Sequence, residues 1–218
     1  MFGTQRGFTL LELMIVVVLV GLLAALALPS MGEAQLDRQV YTDAARISDL
    51  IHEARTRALG RGAATLVTMS TNGAPGVFTS YEAVQDDPTG GGQHTPRSSC
   101  KSPTDWTSAK TAQTIASVDL SQMYGAAYGI SALLYAPTAT GTQAPVTTAY
   151  LCFTPLGRSF LVTGASLARN TFDASTTNSQ SIQIEIARRD KALVYGLTRT
   201  VLVPPSGASR VLSTAKPL

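Results

Sequence analysis

Histidine, cysteine and charge are all scarce in this chain. Its 218 residues include two His, two Cys and one Trp, and Asp, Glu, Lys and Arg together make up 14%, against roughly 25% in an ordinary soluble domain. Two His leave little material for a His-based metal or catalytic centre. Neither His52 nor His94 has a nucleophile motif or a metal-ligand pair around it, so no enzymatic activity and no cofactor are expected. A net charge of +3 is too small to mark the whole chain as a nucleic-acid binder. Asp86-Asp87 ahead of Gly90-Gly91-Gly92 lacks the ligand spacing of a calcium or phosphate loop.

The apolar residues, by contrast, are concentrated. From Leu13 to Leu28 sixteen consecutive residues carry no polar side chain, and from Phe8 to Leu28 only Thr9 and Glu12 interrupt the run. A helix of that length spans about 30 Å, the thickness of a bilayer's hydrocarbon core. Arg6 lies before it, and Pro29, Glu33, Asp37 and Arg38 follow. A basic residue on the short side favours a cytoplasmic N-terminus, with everything after Pro29 across the membrane. Three readings fit: a secretory signal peptide cut after Ala25-Leu26-Ala27, before Leu28; an uncleaved anchor; or a segment in which Glu12 has a task. A carboxylate at mid-membrane costs roughly 2.5–3.5 kcal/mol on insertion scales, and a signal peptide gains nothing from it.

Past Pro29 the pattern stays helical. Leu36, Val40, Ala44, Ile47, Ile51, Ala54 and Ala58 fall on one helix face. Glu33, Asp37, Asp43, Asp49 and Glu53, balanced by arginines, are expected on the other, and Gly60-Arg61-Gly62 stops the helix. Short β-like runs follow: Ala64–Ser70 and Val77–Val84 as a hairpin, then 150–153, 160–162, the alternating Ile182, Ile184 and Ile186, and finally 193–197 and 200–203. The expected fold class is α+β: a long N-terminal helix packed on an antiparallel β-sheet head. The stretch 85–114 has only Cys100, Trp106, Ala109 and Ala112 as apolar members and reads as a long solvated loop. Cys100 and Cys152 are expected to pair if the head lies in an oxidising compartment; the alternative is a buried Cys152 with a free Cys100.

The run Arg6-Gly7-Phe8-Thr9-Leu10-Leu11-Glu12-Leu13-Met14 resembles the leader of type IV prepilins, shared by pilins and the pseudopilins of type II secretion. That resemblance implies cleavage by a prepilin peptidase after Gly7, N-methylation of Phe8 and a role for Glu12 in filament assembly. A free α-amino group at Phe8, with an ordinary pKa near ~8, is mostly protonated at neutral pH. Such an amine can pair with Glu12 of a neighbouring subunit in low dielectric, where an unpaired charge is strongly unfavourable. The bland alternative is a Glu12 that snorkels at the membrane edge. The expected organisation is a leader over 1–7, a transmembrane and assembly helix over 8–28, an amphipathic helix over 29–61 and a periplasmic β-rich head over 62–218.

Two further stretches narrow the resemblance. Ala54-Arg55-Thr56-Arg57-Ala58 before Gly60, and Phe153-Thr154-Pro155-Leu156-Gly157-Arg158, are similar to the GspH-type minor pseudopilins and FimT/FimU-type minor pilins. This implies a low-abundance subunit that helps initiate or cap a type IV pilus or a type II secretion pseudopilus. Its implied partners are other pilins or pseudopilins, prepilin peptidase, an inner-membrane assembly platform and, before assembly, membrane lipid. It would pass the inner membrane once. The other reading is a FimT-like pilin that binds DNA during uptake through a basic C-terminal region, with Arg199, Arg210 and Lys216 as contacts; the DNA-binding tail pattern appears here only as Gly207-Ala208-Ser209-Arg210.

Overall fold

The computed structural model describes residues 9–72, 75–85, 95–101, 106, 108–121, 129–138, 142–164, 181–190 and 193–214, the side chains of 25–33, 190, 193 and 214 excepted. The chain divides into two units, Met1–Gln39 and Val40–Leu218. A single helix, α1 (Leu10–Arg61), contributes to both.

In the first unit, Thr9 starts the helix. Its hydroxyl accepts the Glu12 backbone N–H at 3.2 Å and its carbonyl accepts that of Leu13 at 3.2 Å, which satisfies donors that a helix end otherwise leaves open. Phe8 itself, whose amine is expected to pair with Glu12 of a neighbouring subunit, lies outside the described residues. The apolar side chains between Leu10 and Leu23 are all exposed, from 50% at Val16 to 79% at Leu10. Among the described residues, no helix is long and apolar enough to cross a membrane.

The second unit is built around the Val40–Arg61 part of α1. Val40, Ala44, Ile47, Leu50, Ile51, Ala54 and Ala58 are buried there, all but Leu50 of them on the stripe that the 3.6-residue period picked out. Asp43, expected on the solvated face, is instead fully buried, with its carboxylate 3.8 Å from Arg46. It is the immediate neighbour of Ala44 and sits three residues after Val40, on the flank of the buried stripe. Gly62, at φ 69, terminates the helix in the left-handed conformation that glycine adopts without a steric penalty.

Two antiparallel sheets enclose this helix. In the first, β1 (Thr65–Ser70) pairs with β2 (Val77–Gln85) and with β7 (Thr148–Phe153), and β8 (Ser159–Thr163) lies beyond β7. Two further strands, β3 (Thr95–Pro96) and β4 (Ala112–Asp119), both pair with β2. In the second sheet the order is β11 (Arg210–Thr214), β10 (Leu193–Val203), β9 (Ile182–Asp190), β5 (Ile130–Pro137), β6 (Gln143–Val146). The separate runs expected at 193–197 and 200–203 are one strand, β10, whose register against β9 shifts between Tyr195 and Arg199; the irregularity hides the alternation. Val67, Met69, Phe78, Leu151 and Phe153 of the first sheet, with Leu134, Ile182, Ile184, Ile186 and Val201 of the second, share one core with the helix.

The outer face of the first sheet is also covered. Leu66 lies opposite both Tyr81 and Cys152, and Cys152 lies opposite Phe160. Cys100, Trp106 and Ala112 pack onto this row in a second apolar cluster. Within 85–114, then, Gln85 ends β2, β3 pairs with it, and Trp106 is 4% exposed. Backbone bonds continue the ladder there: Arg97 N–H donates to Ala83 O at 3.0 Å, and Ala64 N–H to Arg97 O at 2.6 Å.

Candidate functional site

Three places hold the residues that the sequence singled out, and a fourth emerges from the structure. At the N-terminus, Glu12 stands in the first turn of α1, exposed, at the start of a helix segment whose apolar side chains from Leu10 to Leu23 are all exposed. Thr9 and Glu12 have the spacing of a capping box, in which the first residue accepts a backbone N–H of the first turn. Gly7 and Phe8, expected as the cleavage and methylation positions, lie outside the described residues.

The second place is the bridge. Cys100 and Cys152 are joined, with Cα atoms 6.1 Å apart across a sequence separation of 52. Both are buried, Cys152 completely. The bond ties the segment after β3 to the outer face of β7, beside Trp106.

The third place is the basic C-terminal region. Arg199 lies opposite Ser213 on β11 and two residues before Val201, which is fully buried in the main core. Arg199 therefore points to the helix side of the sheet, and its guanidinium stands 5.5 Å from the centre of the Tyr41 ring, a cation–π distance. Arg210 lies opposite Leu202, one position out of phase with Val211, and is exposed on the other face. Strand alternation thus separates the two arginines. Lys216 lies outside the described residues.

Polar contacts around α1 form the fourth place, and the sequence did not point to them. His52, which has no nucleophile motif or metal-ligand pair around it in the sequence, bonds through Nε2 to Ser209 O at 2.8 Å. A carbonyl only accepts, so that nitrogen carries the proton. Ser48 Oγ lies 2.9 Å from Ser209 Oγ, and Ser209 Oγ donates to Ser48 O at 3.1 Å. The imidazole contacts a backbone carbonyl and neither hydroxyl, so the trio fastens the β10–β11 turn to the helix and activates no nucleophile. Near the end of α1, Glu82 is 1% exposed and receives Arg57 Nε at 2.6 Å and Arg61 Nε at 2.8 Å. A buried carboxylate is costly unless it is paired and hydrogen-bonded, and two guanidiniums do both. The spacing of Arg57 and Arg61 one turn apart was visible in the sequence; their acceptor was not. Among the described residues no group of His, Cys, Asp and Glu could hold a metal ion.

Comparison with known proteins bears mainly on the first place. Residues 3–28 match the family model for the prokaryotic N-terminal methylation motif. Fimbrial protein EcpB of Eikenella corrodens is 54% identical over 41 residues, which is 17% of this chain and 26% of that protein. The match thus spans about a quarter of the length of this curated relative. The crystal structure of the type IV minor pilin FimU of Pseudomonas aeruginosa aligns over 82% of this chain and 90% of its own, at 11% identity and a TM-score of 0.38. Over residues 3–28 the chain thus carries the N-terminal methylation motif, and its likeness to a fimbrial protein is confined to a segment of 41 residues.

Proposed function

We propose that the chain is a minor subunit of a type IV pilus or a type II secretion pseudopilus, which is cut after Gly7, methylated at Phe8 and helps initiate or cap the filament. The observation that carries this is the motif over residues 3–28, with Glu12 placed in the first turn of a helix that leaves every apolar side chain from Leu10 to Leu23 exposed. A helix apolar all round is suited to lipid or to other helices, not to water. Lipid receives it before assembly, and the corresponding helices of other subunits receive it afterwards. Glu12 then sets register by pairing with the new amine of a neighbour, since either charge left alone in that setting is costly.

Placement in the inner membrane with the head in the periplasm follows from the same reading. The 21 residues from Phe8 to Leu28 match a bilayer core in length, and the Cys100–Cys152 bond suits an oxidising compartment. Prepilin peptidase and an assembly platform are the partners this processing requires.

Mass spectrometry of the protein isolated from membranes tests the reading. The expected mature chain begins at N-methylated Phe8. Glu12→Leu should leave that cleavage intact and abolish entry into filaments. A chain beginning at Leu28, or Glu12→Leu subunits that enter filaments at the normal level, would overturn it.

A further inference from the structure

The first sheet ends in a strand with one bare side. Among the described residues β8 pairs with β7 alone. Backbone bonds close both ends of that ladder: Thr154 N–H donates to Arg158 O at 2.9 Å and Gly164 N–H to Thr148 O at 3.3 Å. Hydrogen-bonded pairs alternate along an antiparallel ladder, so Phe160 and Val162 direct their backbone groups to β7. Ser159, Leu161 and Thr163 turn theirs to the other side, where no backbone group among the described residues takes them up.

Such a row templates a further strand, and proteins ordinarily blunt it with charge, proline, a bulge or a very short strand. The other edges carry these devices. β6 contains Pro145, β11 opens on Arg210, β3 is 2 residues long and contains Pro96, and the register of β4 on β2 shifts between Ser80 and Tyr81. β8 has none of them. Its Ser-Phe-Leu-Val-Thr run is uncharged, keeps an unbroken register with β7 and has an ordinary strand length. Both of its faces are apolar: half-buried Phe160 and Val162 pack against the outer cluster, and half-buried Leu161 packs against the main core.

The same residues determine which strand fits. When β8 pairs antiparallel with its own copy about a two-fold axis at Leu161, Leu161 meets its counterpart, Phe160 meets the counterpart of Val162, and Ser159 meets that of Thr163. The three outward-turned residues then satisfy one another, each donor with an acceptor. Moving the axis one residue either way leaves one of the three without a partner inside the strand. On one sheet face an aromatic ring lies opposite a β-branched side chain, and on the other leucine lies opposite leucine, pairings that stabilise a ladder. Arg158 meets the counterpart of Gly164, so like charges do not oppose. We propose that β8 pairs in this register with β8 of a second copy of the chain, which joins two heads through one continuous sheet. A two-fold contact of this kind closes on itself. The inference rests on this edge and not on the function proposed above.

Sedimentation velocity of the full chain in detergent micelles, over a range of protein concentrations, tests it. A monomer–dimer equilibrium is expected, and hydrogen exchange in the same samples should slow at the Leu161 and Thr163 amides as the dimer fills. Thr163→Pro removes one outward N–H, twice per dimer by symmetry, from an exposed position that gives β7 no bond; proline is tolerated at such edge positions. It should weaken the dimer about fivefold or more, as the loss of two hydrogen bonds implies, at an unchanged melting temperature. Thr163→Val keeps the N–H and should dimerise like the parent. If Thr163→Pro lowers the melting temperature, exchange in the parent decides alone. A chain that stays monomeric, a dimer indifferent to a stably folded Thr163→Pro, or a dimer whose Leu161 and Thr163 amides exchange as fast as in the monomer would overturn the proposal; the last is what a dimer held through α1 would give.

Discussion

Glu82 shows how one residue ties helix to sheet. It faces inward on β2, opposite Thr65, and Thr65 in turn donates its hydroxyl to Ala54 O at 2.7 Å. The end of α1 is thus fixed by two guanidiniums and one carbonyl over neighbouring strand positions. Glu82→Gln keeps the volume and removes the charge. Both arginines are partly solvated, Arg57 at 32% and Arg61 at 57% exposed, so water recovers part of what they lose. The loss in folding free energy should therefore be about 2 kcal/mol, below the 3–5 kcal/mol of a fully buried broken pair. Arg61→Ala should cost under about 1 kcal/mol, because Arg57 still neutralises the carboxylate. Urea denaturation of the three proteins measures both, and a Glu82→Gln midpoint equal to that of the parent would remove the clamp from the account. The spacing of Arg57 and Arg61 was legible in the sequence, but their acceptor was not, because Glu82 lies more than twenty positions away on a strand.

Among the elements, legibility followed periodicity. The stripe from Val40 to Ala58 announced its buried face because six of its members repeat at helical spacing with small or branched side chains. Strand β9 alternates, with Ile182, Ile184 and Ile186 facing the core, and β1 and β2 were readable as two β-like runs on either side of a turn. β5 was not, since Leu133 and Tyr135 on its outer face are as apolar as the core-facing Ile130, Ala132 and Leu134, which leaves no period of two. The segment after β3 is the most informative failure. Its composition is that of a solvated loop, yet Trp106 and Cys100 give it a buried side of its own. Two apolar residues suffice because the sheet supplies the rest of the cluster and the bridge supplies the tether. Closing a loop across a separation of 52 is worth about 4 kcal/mol in the chain-entropy model, within a usual range of roughly 2–4. Trp106 is the chain's single tryptophan, so its fluorescence reports on this segment alone. The double variant Cys100→Ser/Cys152→Ser should lose about 2–4 kcal/mol and show red-shifted emission with an unchanged far-ultraviolet circular dichroism spectrum. In the parent, burial of both sulfurs should make reduction by dithiothreitol slow until denaturant is added. Unshifted emission in the variant would mean that Trp106 holds its place without the bond.

At the scale of the molecule the question is whether the second unit can bind DNA. All residues of both apolar clusters, and the bridge, fall within Val40–Leu218, so a chain starting a few residues ahead of Val40 should fold by itself with a cooperative thermal transition. Duplex binding needs several cations along one track, because each phosphate neutralised adds about one unit to the salt slope. The C-terminal candidates do not form such a track. Arg199 lies on the helix side against Tyr41 and Arg210 on the opposite face, and Arg189 is held by Glu185 at 2.7 Å and by Ser131. Arg57 and Arg61 share the charge of Glu82 at another end of the unit. Titrating a short duplex with this fragment should therefore give no binding tighter than the non-specific range, roughly 10⁻⁴–10⁻⁶ M, and a salt slope near that of one or two ions. A steeper slope that falls with Arg210→Ala would show that the outer face of the second sheet gathers phosphates after all, with residues beyond β11 completing the track, and would restore DNA uptake as the function to test first.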